Sequence, residues 1–347
     1  MYQAVLRNSK KPNPMQIKER NSAFELLRIV AMLLIVIWHI SLHAQKGELY
    51  SHNYITAFCT TGVNLFILIS GYFGIKISWK NVLTLISTIL FYNIMAIAYE
   101  WGTTRIIPGI YSIRYLFAPF QESRWWFINC YFNLMLLSPI INLTLNKSTE
   151  QQIKYFIGVL LFVSCISGFC FGNSINPNGY NTFHFVTIYV LGNAIHRFDL
   201  PARLSTKELL VIYLLCTLIL FICTFKIMYR SAFYNNPLVI TSAVCLFCLI
   251  AKLNFKNKAV NYISSFMLPI YLIQDSVIGF MAYDYLYNKG KILNFEGWHY
   301  FMILGIYLLA LIGTVFIADN IRRLLFNRPV DVISRFLKNR INLSITE

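Results

Sequence analysis

The sequence predicts an all-α integral membrane protein, a bundle of about ten transmembrane helices with both termini in the cytoplasm. Of the 347 residues, 57% are hydrophobic and only 13% are charged. A soluble domain usually carries about 25% charged residues. A chain this apolar needs a bilayer to cover most of its surface.

Ten apolar stretches are long enough to cross a bilayer, for which a helix needs about 20 residues. They cover residues 24–44, 53–74, 79–101, 124–145, 152–171, 182–198, 207–228, 236–252, 259–282 and 298–321. Residues 1–23 form a basic tail before them. Residues 322–347 follow as a second tail, whose amphipathic stretch is predicted to lie on the membrane surface.

The distribution of Lys and Arg predicts the topology. With the N-terminus inside, the inner segments hold 21 of the 30 Lys and Arg residues and the outer segments hold 8, while Arg28 lies within the first span. Such an excess on one side marks the cytoplasmic side. The net charge of +16 is divided among these short segments, so it does not indicate nucleic-acid binding.

The first span, FELLRIVAMLLIVIWHISLHA, carries Arg28 and His39 within an apolar helix. His39 lies eleven positions after Arg28, so the two residues lie only about 20° apart around the helix and about 16 Å apart along it. Met32 and Ile35 share the same stripe. A charged residue at this depth normally faces a partner or a wet cavity. Alternatively, Arg28 reaches the lipid headgroups and His39 only bonds a neighbouring helix.

The second and fourth spans contain polar residues within apolar sequence. Asn64 lies in TGVNLFILISGYFG, where Gly71 allows close helix contact. In the fourth span, Asn129 and Asn133 lie on one helix face and Trp126 lies at the predicted outer interface. These spans are therefore candidates for a polar cavity between helices.

The ninth span places Tyr271, Gln274 and Asp275 together just after Pro269. An intramembrane carboxylate is a candidate functional group, although a structural pairing with Arg or His is an equal alternative. A proline in a membrane helix also frees a backbone carbonyl and bends the helix.

The connection 102–123 is predicted to lie outside, and it mixes Arg105 and Arg114 with Tyr111 and Tyr115. Cationic and aromatic side chains together suit the binding of sugar rings. The alternative is an interfacial segment held by its aromatic residues.

The eight Cys lie mostly within apolar stretches, where they behave as small hydrophobes, so neither a disulfide framework nor a metal site is expected.

Taken together, these segments resemble the acyltransferase 3 family of integral membrane acyltransferases, in particular members that O-acetylate bacterial capsular polysaccharides and exopolysaccharides. The resemblance runs in register from about Asn21 to Asp319. It rests on five segments in the same order: FELLRIVAMLLIVIWHISLHA, GVNLFILISGYFG, WWFINCYFNLMLLSPIIN, FHFVTIYVLGNAIHRF and SFMLPIYLIQDSV.

The resemblance implies a multi-pass protein of the bacterial plasma membrane that moves an acyl group, by default acetyl, from cytoplasmic acetyl-CoA to a saccharide hydroxyl. It implies that His39 is the essential catalytic residue and Arg28 its partner. The chain departs from the family where Gln274 replaces a His of the ninth helix. The chain also has Lys76 and Lys80 where many relatives carry an Arg-rich stretch. A lysine cannot form the bidentate hydrogen bonds to phosphate that an arginine forms.

The mechanism that we expect uses His39 as the general base, since imidazole changes protonation state near neutral pH. Asp275, Gln274 or Asn64 would orient it. Arg28, helped by Lys76 and Lys80, would bind the CoA donor, which is a substrate and not a permanently bound cofactor. The expected acceptor-binding residues are Asn64, Arg114, Trp126, Asn129, Tyr271, Gln274 and Asp275.

Two other functions fit the same pattern. A transporter of a polysaccharide or a lipid-linked sugar would use buried Arg, His and Asp as a proton relay. Against it, the sequence shows no internal repeat and no paired broken helices. A catalytically idle scaffold is the third possibility, and the retention of Arg28 and His39 argues against it.

Overall fold

The computed structural model describes residues 21–43, 54–104, 125–226, 233–288 and 298–340. Within these ranges the regular structure is helical throughout, which confirms the predicted fold class. The helices are α1 Ser22–His43, α2 Tyr54–Cys59, α3 Gly62–Phe73, α4 Trp79–Thr104, α5 Trp126–Lys147, α6 Glu150–Leu161, a π-helical segment Phe162–Cys170, α7 Thr182–Arg197, α8 Leu200–Arg203, α9 Thr206–Lys226, α10 Pro237–Ala251, α11 Lys258–Ser264, α12 Met267–Gln274, α13 Val277–Asn288 and α14 Trp298–Arg340.

Six of these helical stretches are long and apolar enough to cross a membrane, and a bent pair makes seven. The six coincide with the first, third, fourth, fifth, seventh and tenth predicted spans, and the bent pair coincides with the ninth. The second, sixth and eighth predicted spans are shorter helices in the described part of the chain. The protein is therefore a multi-pass membrane protein, and the count of ten spans stays a prediction.

Helix α3 lies at the centre of the bundle because glycines let it approach its neighbours closely. A Cβ atom at Gly71 would lie 2.0 Å from the backbone oxygen of Tyr189 on α7, and one at Gly62 would lie 2.8 Å from that of Ala31 on α1. The predicted role of Gly71 in close helix contact is confirmed. The second span is not one helix, since α2 ends at Cys59 before α3 begins.

The ninth predicted span is broken after Gln274, beyond Pro269, where the sequence predicted a bend. The helical direction turns by 74° between Lys258–Gln274 and Val277–Leu286. At the break, Ser276 Oγ donates to the Ile273 oxygen at 2.6 Å and accepts from the Ile278 N–H at 3.2 Å. Side-chain hydrogen bonds of this kind replace those of the helix and stabilise a bend.

The last span continues without a break into the region predicted as a separate surface helix. Helix α14 has 43 residues, which gives a length of about 65 Å, roughly twice the hydrocarbon thickness of a bilayer. Lys80 Nζ lies 2.8 Å from Asp331 Oδ1, which ties the extension to the start of α4. The extension is therefore packed beside the bundle along part of its length.

Candidate active site

A cavity of about 260 Å³ lies against one stripe of α1, and we call it the reaction cavity. Arg28, Met32, Ile35 and His39 all line it. These are the four residues that helical spacing groups on one stripe. The other walls come from α3, α4, α5, the end of α11, α12 and the turns before α10 and α12: Val63, Phe66, Ser70, Leu85, Trp126, Phe127, Ile128, Tyr131, Tyr234, Ser264, Ser265, Met267, Leu268 and Tyr271.

The Arg28 end of the reaction cavity is organised by a buried carboxylate. Arg28 Nη1 lies 2.5 Å from Glu25 Oε1, and Ser264 Oγ donates to Glu25 Oε2 at 2.5 Å. Glu25 is only 2% exposed. It forms an ion pair with Arg28 and, through Ser264, ties Arg28 to the end of α11. Sequence reasoning missed this role, although the i, i+3 spacing of Glu25 and Arg28 within an apolar helix could have indicated it.

A second cationic cluster lies beside the same end. Arg323 Nη2 donates to Ser265 Oγ at 2.8 Å, and its guanidinium lies 4.7 Å from the ring centre of Phe266. Arg322 and Arg323 share the carboxylate of Asp319, which is fully buried. Two arginines on one carboxylate leave a net positive charge next to the cavity wall.

Aromatic side chains form the wall where α5 begins. Trp126 stacks on Tyr234 with a ring-centre distance of 5.7 Å and an angle of 24° between planes. Tyr271 also lines the cavity and is 5% exposed. Trp126 and Tyr271 were expected to face a substrate. Tyr234 was not, because nothing local in the sequence predicts that the turn before α10 reaches this wall.

The predicted residues Gln274 and Asp275 lie at the break after α12. The Tyr271 hydroxyl donates to Asp275 Oδ2 at 3.0 Å, and Trp125 Nε1 donates to the Asp275 backbone oxygen at 3.0 Å. Gln274 is fully buried. Neither Gln274 nor Asp275 is among the described residues that line the reaction cavity. Asp275 therefore contacts the cavity through Tyr271, whose hydroxyl it fixes.

Asn64 also supports the wall from behind. Its Nδ2 donates to the Tyr234 backbone oxygen at 3.0 Å, and its Oδ1 lies 2.8 Å from Nε2 of His184. An amide oxygen only accepts, so His184 Nε2 carries the proton. Both Asn64 and His184 are fully buried. The contact between the two side chains joins α7 to α3.

The remaining predicted acceptor residues lie away from the cavity lining or outside the described residues. Asn129 Oδ1 accepts from Asn133 Nδ2 at 3.3 Å, and the same Nδ2 lies 3.2 Å from the Thr182 hydroxyl. This contact joins α5 to α7. Arg114 lies outside the described ranges, so its predicted role stays an expectation.

The two predicted donor-side lysines, Lys76 and Lys80, are exposed, and neither belongs to the described lining of the reaction cavity. Lys80 is paired with Asp331. Lys76 follows α3, whose last residue Phe73 packs its ring 4.7 Å from that of Phe24 at the start of α1. Lys76 therefore lies at the same end of the bundle as Arg28.

The arrangement offers acid–base chemistry at an imidazole and anion binding at a guanidinium, within one cavity. Among the described residues, no group of three or more His, Cys, Asp or Glu side chains could hold a metal ion.

Residues 21–320 match the acyltransferase 3 family model, described as an acyltransferase domain. No curated protein and no solved structure matches the chain. The match covers the reaction cavity from Arg28 to Tyr271 and ends in the middle of α14.

Proposed function

Because the chain belongs to the acyltransferase 3 family of membrane acyltransferases, we propose that it transfers an acyl group from cytoplasmic acyl-CoA to a saccharide hydroxyl. The proposed acyl group is acetyl, and the proposed acceptor is a cell-surface or lipid-linked saccharide at a bacterial plasma membrane. The observation that carries the proposal is that Arg28 and His39 line one cavity. The family match favours this enzyme over the transporter and scaffold alternatives.

His39 is the proposed general base. Its imidazole takes the proton of the acceptor hydroxyl while the hydroxyl oxygen attacks the thioester carbonyl carbon. The tetrahedral intermediate then collapses, the carbon–sulfur bond breaks, and the imidazolium returns the proton to the CoA thiolate. The products are the saccharide ester and CoA. His39 is thus regenerated within each cycle.

Arg28 is the proposed donor-side residue. Its guanidinium has five N–H donors, and the bond to Glu25 uses Nη1, so others are available to a phosphate or to the pantetheine amides. About 16 Å of helix separates Arg28 from His39. An extended pantetheine arm along the α1 stripe would connect the two positions. Lys76 and Lys80 keep only a proposed role in attracting CoA to this end of the bundle.

The aromatic wall is the proposed acceptor side. Trp126 and Tyr234 line the cavity as a stacked pair, and the ring surface that the pair leaves uncovered would pack against the apolar face of a sugar ring. Trp126 is the first residue of α5 and follows the connection predicted to lie outside. Tyr271 presents a hydroxyl that Asp275 holds in place. The saccharide would therefore enter from the side opposite to CoA.

The direct test uses protein reconstituted in lipid vesicles, labelled acetyl-CoA and a saccharide acceptor, with ester formation as the readout. His39→Ala should lower the rate by a factor of 100 or more, in line with the usual ~10²–10⁴ contribution of a general base. His196→Gln is the matched control, because His196 is an exposed histidine of α7 outside the cavity lining. Acyl transfer at the wild-type rate by the His39→Ala variant would contradict the role of His39 as the general base.

In cells, mass spectrometry of surface polysaccharide compares strains with and without the protein. Loss of ester on a polymer that still reaches the surface supports the transferase. Polymer that accumulates inside the cell supports the transporter instead.

A further inference from the structure

A second cavity lies beside the reaction cavity, against the neighbouring stripe of α1, and we call it the side pocket. Its volume is about 190 Å³. Helices α1, α12 and α14 provide most of its walls, including Ile29, Leu33, Ile270 and Leu311. Apart from Tyr262, every described residue that lines it has an aliphatic, phenylalanine or methionine side chain. Such a lining accepts hydrocarbon and rejects sugar or phosphate.

The two cavities share two residues, Met32 and Met267. One stripe of α1, which contains Arg28 and His39, lines the reaction cavity. The neighbouring stripe lines the side pocket, and Met32 lines both cavities. On α12, Met267 lies in the same way between the two. Both side chains are buried, at 4% and 5% exposure. Two methionines therefore form the partition.

Methionine suits a partition that opens. Its side chain is unbranched and adapts its shape at low cost, so it can fill a gap or move out of it. Met32 lies two helical turns from His39, about 10 Å along the axis. An acetyl group held at His39 stays short of the partition, whereas a chain longer by several methylene groups reaches it.

The far side of the side pocket opens toward lipid. Leu33, Ile312 and Phe316 line it and are 37%, 43% and 46% exposed. They belong to helices that are long and apolar enough to cross the membrane. A chain that enters from the reaction cavity would therefore meet hydrocarbon along its whole path.

On this basis, and resting on the proposed acyl transfer, we propose that the side pocket receives the hydrocarbon chain of a donor acyl group longer than acetyl, with Met32 and Met267 controlling its entry. The acyl chain begins one bond from the reacting carbonyl carbon, so a chain of several methylene groups can extend from His39 to the partition during transfer. The lipid of a lipid-linked saccharide fits less well. A sugar and a phosphate would separate it from the reacting hydroxyl, and the phosphate would have to pass an apolar partition.

The first test measures kcat/KM for octanoyl-CoA and for acetyl-CoA with the reconstituted protein, and follows their ratio. Leu311→Trp fills the side pocket and should lower the octanoyl-to-acetyl ratio by about tenfold, since loss of burial for two methylene groups corresponds to that factor. Met32→Ala widens the partition and should raise the ratio. Met135→Ala is the control, because Met135 is buried at 4% on α5 and lines neither cavity among the described residues.

Transfer of acetyl with no transfer of octanoyl would overturn this inference while the proposed function stands. An unchanged ratio in Leu311→Trp would overturn it as well. Absence of transfer from either donor would instead contradict the proposed function, and a binding measurement then decides the inference.

That measurement uses octanoyl-CoA with a photoreactive diazirine at the end of its chain. Adducts at Leu33, Ile270 and Leu311 that disappear on addition of excess octanoyl-CoA would support the inference. Leu214 and Leu218 of α9, both 53% exposed, report background labelling from the bilayer. Labelling that is equal at α9, or that resists competition, would mean that only bilayer lipid occupies the side pocket, and would overturn the inference.

Discussion

Glu25 and Arg28 form an ion pair across one turn of α1, with Oε1 and Nη1 2.5 Å apart. The side chain of Glu25 is 3% exposed and that of Arg28 is 28% exposed, so the carboxylate is buried while the guanidinium faces the reaction cavity. The second carboxylate oxygen accepts from Ser264. The pair therefore fixes where the cation lies without removing it from the cavity.

Glu25→Gln should weaken donor binding more than it slows the chemical step. The amide keeps the shape but loses the charge-assisted bond to Arg28, which typically contributes about 1.5–3 kcal/mol. We expect the KM for acetyl-CoA to rise by roughly tenfold with a smaller change in kcat. Steady-state kinetics on the reconstituted protein measures both.

Glu208→Gln is the control for this variant, because Glu208 is an exposed carboxylate at the start of α9. An equal shift of KM in both variants would show that Glu25 has no specific effect on Arg28.

Loss of the Arg28 side chain should raise the KM for acetyl-CoA more than loss of Lys76 or Lys80. Lys80 and Asp331 form an exposed pair, with side-chain exposures of 65% and 46%, and such pairs contribute about 0–1 kcal/mol. We expect Arg28→Ala to raise KM by at least tenfold and Lys76→Ala or Lys80→Ala by no more than about twofold.

Measurement of the same KM values at low and high salt adds a second readout. The lysine effects should vanish at high salt, where exposed charges are screened, and the Arg28 effect should persist. A lysine variant that matches Arg28→Ala at high salt would contradict the assignment.

Asn64→Ala should destabilise the bundle. It removes the hydrogen bond to the Tyr234 backbone oxygen and leaves Nε2 of the buried His184 without its Asn64 acceptor, which costs about 1–3 kcal/mol. Thermal unfolding in detergent should show a lower midpoint. The double variant Asn64→Ala with His184→Ala should lose less than the sum of the single variants, because the two side chains share one hydrogen bond. If the losses of stability in the two single variants simply add up in the double variant, the Asn64–His184 hydrogen bond contributes nothing to stability.

Gly71→Ala should impair folding, whereas Gly158→Ala should not. A Cβ atom at position 71 would lie 2.0 Å from a backbone oxygen of α7, and that oxygen cannot move without shifting the helix. Such overpacking costs about 1–3 kcal/mol or more. Nothing lies within 4 Å of a Cβ atom at position 158. The yield of monodisperse protein in detergent is the readout, and equal yields would contradict the close packing of α3 on α7.

Much of the fold and part of the site could be predicted from the sequence, because the features concerned are local. Hydropathy identifies apolar segments one at a time, and helical spacing alone places Arg28 and His39 on one stripe. The structure finds both along a single cavity, together with Met32 and Ile35.

Other parts of the site depend on contacts between distant segments. The partner of Asn64 lies 120 residues away, and the aromatic wall includes Tyr234 from the turn before α10. Hydropathy could not reveal the 74° break in the ninth span either, because the break follows from side-chain bonds and packing and not from a loss of apolar residues.

The sequence by itself determined that this chain is a helical membrane protein, and which face of its first helix carries a cation and an imidazole. Only the tertiary structure decided that Glu25 holds Arg28, that Asn64 and Asp275 act from behind the wall, and that Met32 and Met267 separate two cavities. The physical reason is that helix geometry depends on neighbouring residues alone, whereas a cavity exists only where several helices pack together.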